Sequence, residues 1–129
     1  MNVLRELKHP NIVRYYDRII NKKKQLIYII MEYCPKGDLR KEIFRRRKKK
    51  EYYPEKIVWD MFMQVVLALH EVHNFKKGSI IHRGVRPENI LIDESGKLKL
   101  ADFGLAKVVS CEAQFTMTNL GATSYTAPE

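Results

Sequence analysis

The stretch His82-Arg83-Gly84-Val85-Arg86-Pro87-Glu88-Asn89 gathers an imidazole, two guanidinium groups, a carboxylate and an amide, and Asp102-Phe103-Gly104 follows a short way on. Asn and Asp oxygens held side by side can share a hard cation such as Mg²⁺, which prefers oxygen ligands and bridges to substrate phosphates. The chemistry these residue types suit is the handling of a metal-bound phosphate. For that, Asn89 and Asp102 must be brought together in space. Between them lie two short β-type runs, Ile90-Leu91-Ile92 and Leu98-Lys99-Leu100, separated by Asp93-Glu94-Ser95-Gly96, whose residues favour a tight reversal. The spacing predicts a hairpin whose open end carries both polar clusters.

The order His-Arg-x-x-x-Pro-Glu-Asn at residues 82–89, Asp-Phe-Gly at 102–104 and Ala127-Pro128-Glu129 resembles the catalytic loop, magnesium loop and end of the activation segment of eukaryotic protein kinases. Residues 4–18, Leu-Arg-Glu-Leu-Lys-His-Pro-Asn-Ile-Val-Arg-Tyr-Tyr-Asp-Arg, and Met31-Glu32-Tyr33-Cys34 are similar to the NIMA-related serine/threonine kinases. The resemblance covers essentially all the residues. It implies an α+β, protein-kinase-like fold present in part: residues 1–33 as the rest of a small lobe and the start of the hinge, residues 34–129 as the large-lobe part through the activation segment. A kinase domain needs about twice this length, within the upper range for one domain. The resemblance therefore implies truncation at both ends: a glycine-rich loop, a strand lysine and its helix glutamate before the chain, and supporting helices after it.

One position departs from the family in a way that bears on activity. Where the family has the aspartate that accepts the substrate hydroxyl's proton, this chain has Gly84. Glycine offers no group to take a proton or orient a hydroxyl, and a positioned base contributes about 10²- to 10⁴-fold in rate. Positioning and electrostatic stabilisation do most of the work of phosphoryl transfer, so residual activity is compatible with the loss. A second departure is Ala122, where the family has a threonine whose hydroxyl bonds that aspartate. Both members of the pair are missing.

The remaining roles are those the resemblance implies. Asn89 and Asp102 become Mg²⁺ ligands, and Arg86 stands where a lysine contacts the transferred phosphate, with a guanidinium fork in place of a point charge. Met31 takes the gatekeeper position. The backbone around Glu32 and Cys34 hydrogen-bonds an adenine, and Leu91 forms the floor beneath it. His82 packs under Phe103. Arg83 awaits a phosphate on the activation segment, where Thr118 aligns with the usual phosphorylation site and Thr116 and Ser110 are alternatives. The cofactors implied are ATP and Mg²⁺, bound weakly by the chain as given, and the partner is a protein substrate or protein ligand. Three readings follow: an impaired serine/threonine kinase, a pseudokinase that binds nucleotide or a partner without transfer, or a truncated product without independent function.

The 129 residues are 45% hydrophobic and carry a net charge of +9. That composition fits one globular core and excludes a disordered segment. Arg45 to Lys50 is a run of six basic residues, read here as a solvated helix end in preference to a nucleic-acid patch. Two cysteines, Cys34 and Cys111, make no disulfide scaffold and fit a reducing compartment, cytosol or nucleus. The apolar run Leu26 to Met31 is too short to span a bilayer.

Elsewhere the patterns predict a helix from Asn2 to Lys8, halted at His9-Pro10, with Leu4 facing inward near Tyr15. Strands are expected at Ile12–Arg18 and Gln25–Glu32, joined through Asn21 and three lysines, with Leu26–Met31 buried on both faces. Asp38 caps a helix that frays before Tyr52. The longest helix runs from Glu55 to His73, with Ile57, Met61, Val65, Ala68 and Val72 on one face, widened by Val58, Phe62 and Leu69, and Asp60, Gln64 and Glu71 opposite. So broad a face predicts exposed apolar surface in the chain as given. His70 and His73 lack further ligands, and no metal is expected there.

Overall fold

The computed structural model describes residues 2–109 and Tyr125. Its centre is the predicted hairpin, β4 (Ile90–Ile92) and β5 (Leu98–Leu100), paired antiparallel with Ile90 opposite Leu100 and Ile92 opposite Leu98. Asp93 shapes the turn, accepting hydrogen bonds at Oδ1 from the Lys97 N–H (2.9 Å) and the Ser95 hydroxyl (2.7 Å). Gly96 supplies the left-handed backbone there, with φ 89°.

Side chains alternate across a strand, so this hairpin has two distinct faces. Ile90, Ile92, Leu98 and Leu100 enter the main core with Ala68 and Val72 of helix α3 (Glu55–His73) and Ile80 of strand β3 (Ser79–Ile81). Leu91 and Lys99 point the other way, where Leu91 packs on a smaller cluster of Val13, Cys34 and Ala101.

Three two-stranded sheets make up the β structure of the described residues. Besides the hairpin there is a ribbon of β1 (Tyr15–Asn21) with β2 (Leu26–Met31) and a short pair of β3 with β6 (Lys107–Val109). Two expectations need correction here. First, Ile12 and Val13 are not part of the ribbon: Val13 N–H donates to the Leu100 carbonyl (2.9 Å) and Leu100 N–H to the Asn11 carbonyl (2.8 Å), so the segment runs beside β5. That placement buries Ile12, whereas a place in the ribbon would have exposed it. Second, β2 is exposed along its whole length, with Ile27 at 58%. A run of apolar residues is buried only where a layer covers it, and among the described elements the ribbon has only the short helix near its start, which meets β1.

The helices follow their local signals closely. Helix α1 spans Asn2–Glu6, shorter than predicted, and Leu4 packs against the core. Helix α2 spans Leu39–Lys49 with Asp38 as its cap, Oδ1 accepting from the Lys41 N–H at 2.8 Å. It does not fray. Lys50 adopts the left-handed conformation, and its N–H and that of Glu51 close the last turn on Arg47 and Arg46 carbonyls.

The basic run is partly neutralised within this helix. Glu42 accepts from Arg45 Nε and Nη2 (both 2.7 Å), from Arg46 Nε (2.8 Å) and from the Tyr53 hydroxyl (3.2 Å), while the Arg46 guanidinium lies 3.9 Å from the Tyr53 ring centre. Arg45 above all, helped by Arg46 and Tyr53, brings the Glu42 carboxyl from 4.5 down to about 2. Its folded value lies below its unfolded one, so its stabilising contribution is complete above about pH 4.5. It is lost as pH falls towards 2. Other carboxyls titrate in the same window, so the comparison with Glu42→Gln isolates this group: helicity lost between pH 5 and pH 2 should be smaller in the variant by circular dichroism.

On α3 the inward face is Met61, Val65, Ala68, Leu69 and Val72. Ile57, Val58 and Phe62, expected to share it, are 40–55% exposed, beside exposed Trp59, Met63 and Leu67. The first half of the helix has no cover among the described residues, which is the exposed apolar surface anticipated from the pattern. Gln64, placed on the polar side by periodicity, instead turns to the hairpin. Its Oε1 accepts from Leu98 N–H (2.8 Å) and from Asn11 Nδ2 (3.1 Å), joining helix, hairpin and the buried Asn11.

Candidate active site

The open end of the β4–β5 hairpin brings the two predicted metal ligands into neighbouring positions. Just outside the ladder, the Ala101 N–H donates to the Asn89 carbonyl at 2.8 Å, so Asn89 lies across from the residue that precedes Asp102. Asn89 closes a 3-10 turn, Pro87–Asn89, in which its N–H donates to the Arg86 carbonyl (2.9 Å). Its side-chain Nδ2 donates to the Gly84 carbonyl at 2.9 Å. That bond uses the amide nitrogen as donor, which leaves the amide oxygen as the side chain's acceptor atom.

Asp102 is exposed and sits in the left-handed region at φ 59°, a conformation that Asp tolerates better than most residues. Its Oδ1 accepts from the Gly104 N–H at 3.1 Å. A Cβ on Gly104 would fall 2.9 Å from that same oxygen, so any side chain there would displace the Asp102 carboxylate from this position. Among the described residues, no group of three or more His, Cys, Asp or Glu side chains could hold a metal by itself. An amide oxygen and one carboxylate suit Mg²⁺, which is commonly held by one or two carboxylates and completes its octahedron with water and substrate phosphate.

Beneath this pair lies His82, 1% exposed, with its ring edge-on to Phe103 at a centroid distance of 4.7 Å. Its Nε2 is 2.9 Å from the Ala101 carbonyl and its Nδ1 accepts the Gly84 N–H at 3.2 Å. A ring that donates through Nε2 and accepts through Nδ1 is the neutral imidazole, and burial accordingly pushes its pKa below the usual value. The packing of His82 under Phe103 matches the expectation. His82 and Asn89 thus both fix the backbone of Gly84, the residue that lacks a side chain.

Arg86 and Glu88 show what the fork at position 86 does. Arg86 Nε and Nη2 each lie 2.9 Å from a different Glu88 oxygen, and Arg40 of α2 pairs with the same carboxylate. Arg86 foremost holds the Glu88 carboxyl down at about 2. The guanidinium expected at a transferred phosphate is directed onto Glu88, a bidentate grip that lysine could not make. Arg83 has a left-handed backbone, φ 57°. Thr118, Thr116, Ser110, Ala122 and the Ala127-Pro128-Glu129 motif lie outside the described residues.

The expected adenine end lies where the chain leaves β2. Met31 is 46% exposed and lines a cavity of about 330 Å³ together with Tyr15, Ile29, Asp102, Phe103 and Gly104. Glu32, Cys34, Leu91 and Asn89 do not line it. Leu91 instead packs against buried Cys34, whose thiol burial pushes upward in pKa. Glu32 N–H donates to the Arg14 carbonyl (2.8 Å) and the Cys34 carbonyl accepts from Gly37 N–H (3.3 Å). Sequence reasoning missed Lys99, whose Nζ lies 2.9 Å from Glu32 Oε1. An isolated charge inside a strand otherwise made of leucines was the signal that could have found it.

Compared with known proteins, the chain matches the protein kinase domain family over residues 1–129. It is 46% identical over its whole length to a probable serine/threonine-protein kinase nek2 of Dictyostelium discoideum, of which it covers 31%. It is 44% identical to human serine/threonine-protein kinase Nek2, again over its whole length and covering 29% of that protein. The G2-specific protein kinase fin1 of Schizosaccharomyces pombe is 37% identical, with 20% of it covered. The chain therefore spans less than a third of the length of these relatives.

Proposed function

Because the chain belongs to the protein kinase domain family and is similar to its NIMA-related serine/threonine members, we propose that it carries the Mg²⁺–ATP grip of a serine/threonine kinase and transfers phosphate poorly for want of a side chain at Gly84. In this reading, residues 1–33 belong to the small lobe and hinge and residues 34–129 to the large lobe through the activation segment. The observation that carries it is the pairing at the hairpin's open end, where the backbone of Asn89 holds Ala101 and so sets Asp102 beside it.

Each residue then has a defined task. Asn89, through its amide oxygen, and Asp102, through its carboxylate, hold the metal. Mg²⁺ would supply the positive charge that neutralises the β- and γ-phosphates during transfer. The Glu32 carbonyl and the Cys34 N–H contact the adenine, with Met31 behind it and Leu91 below. Arg86 acts on the phosphate only when it leaves Glu88. Arg83 answers a phosphate on Thr118.

A second reading is a pseudokinase that binds nucleotide or a protein partner without transfer. Gly84 and Ala122 favour it, as does the engagement of Arg86 with Glu88. In both readings the partner is a protein, and the basic run 45–50 is a solvated helix end in place of a nucleic-acid surface. No described helix is long and apolar enough to cross a membrane. We place the protein in cytosol or nucleus, on the reduced state expected of its cysteines.

The test is the metal dependence of nucleotide binding. Calorimetric titration with ATP should show tighter binding with Mg²⁺ than with EDTA, and Asp102→Asn should remove that difference while leaving the metal-free affinity unchanged. If Asp102→Asn responds to Mg²⁺ as the unaltered protein does, Asp102 is no metal ligand.

A further inference from the structure

Lys99 is the one charged side chain in the hairpin strands, and it is 9% exposed. It stands opposite Leu91 on the face turned away from the main core. Its stem is therefore buried where the small cluster of Val13, Cys34 and Ala101 begins, and its ammonium reaches the chain just after β2. There Nζ lies 2.9 Å from Glu32 Oε1 and 3.2 Å from Oε2, with the two side chains 11% and 26% exposed. A largely buried charge pair is a poor source of net stability, since desolvation offsets much of the attraction. What such a pair does supply is a fixed geometry, because neither partner can leave the other without stranding a charge.

The carboxylate held by Lys99 has a second task. Glu32 Oε2 accepts the Arg14 N–H at 3.1 Å, while the Glu32 N–H donates to the Arg14 carbonyl at 2.8 Å. Residue 32 is thus clamped to Arg14 through both its backbone and its side chain, and Lys99 sets where that side chain sits. Lys99 also lies on β5, three residues before Asp102, which follows just beyond the strand's end. One ammonium consequently ties the segment read as the adenine contact to the strand that delivers the metal ligand.

We propose that Lys99 is a positioning residue for the nucleotide: by holding the Glu32 carboxylate from below, it fixes the hinge backbone at Glu32 to Cys34 in register with Asp102. The inference rests on the nucleotide-site reading above, and its own content is the hold on the hinge. Without the ammonium, Glu32 would keep a half-buried carboxylate with one partner fewer, and the hinge would open more often.

The experiment measures residue-resolved amide hydrogen exchange at Glu32 and the affinity for adenosine and for Mg²⁺–ATP, in the unaltered protein, Lys99→Met, Lys99→Arg and the double variant Glu32→Gln/Lys99→Met. Lys99→Met should speed exchange at the Glu32 amide by about tenfold, the scale of a lost buried pairing. Adenosine and Mg²⁺–ATP should weaken by the same factor, since the loss falls on the adenine end. Lys99→Arg should restore both, and the double variant should recover the exchange rate because no charge is left stranded. Unchanged exchange in Lys99→Met overturns the proposal, as does faster exchange that Lys99→Arg fails to restore. If exchange responds as stated while the unaltered protein binds neither adenosine nor Mg²⁺–ATP, the hold on the hinge stands and the nucleotide reading fails.

Discussion

Gly84→Asp is expected to raise phosphoryl transfer to a protein serine or threonine by about 10²- to 10⁴-fold, the range over which a positioned base acts. The backbone is ready for the change. Gly84 is not among the residues with positive φ, so an L-residue meets no conformational penalty there. A Cβ at that position would lie 3.2 Å from Asn89 Nδ2 and 3.5 Å from the His82 ring, which requires the Asn89 amide to yield by a few tenths of an ångström. That nitrogen is a donor and the incoming side chain an acceptor, so the close approach can become a hydrogen bond. The readout is initial rate on a generic protein substrate at saturating Mg²⁺–ATP. Equal rates in the two proteins would remove Gly84 as the cause of impairment.

The second large effect is on stability. Leu100→Ala should destabilise the fold by about 2–5 kcal/mol, as large-to-small changes in packed cores do. Leu100 is 2% exposed in the main cluster, and its backbone binds both Asn11 and Val13 two residues before Asp102. Its loss therefore strikes the core at the point from which the site is suspended. Ile27→Thr is the matching control. Ile27 is 58% exposed on the ribbon, and a β-branched replacement keeps its strand preference, so the cost should be below about 1 kcal/mol. Urea unfolding of both variants distinguishes a core centred on the hairpin from one shared with the ribbon.

Features governed by residues close in sequence are legible in the sequence itself. The β4–β5 hairpin falls on the residues named from its β-type runs and turn, Asp38 caps the helix it was assigned to, and α3 begins and ends as its periodicity states. What could not be read depends on which surfaces meet. Ile12 looks like ribbon but pairs with β5, because its partner lies 88 positions away in the chain. The β3–β6 pair consists of three-residue strands, too short to show alternation. Leu26–Met31 has the composition of a buried strand, and composition cannot say whether a covering layer is present.

The candidate site divides in the same way. The motif names Asn89, Asp102 and His82, and the structure sets these three residues around one hairpin end. Arg86 was expected at a phosphate because of its charge, yet the shape of its charge decides its contact: two parallel donors match the two oxygens of Glu88. Gln64 and Lys99 were missed because each bonds across the fold to groups that no local pattern reveals.

The central claim is that the grip on metal-bound phosphate is intact and separable from the missing base. Its most direct test is a paired calorimetric titration of the unaltered protein and Gly84→Asp with Mg²⁺–ATP. The account predicts affinities that agree within about threefold, since the aspartate acts on the substrate hydroxyl and contributes little to ground-state nucleotide binding. Absence of binding by the Gly84 protein, with binding recovered only in Gly84→Asp, would contradict it.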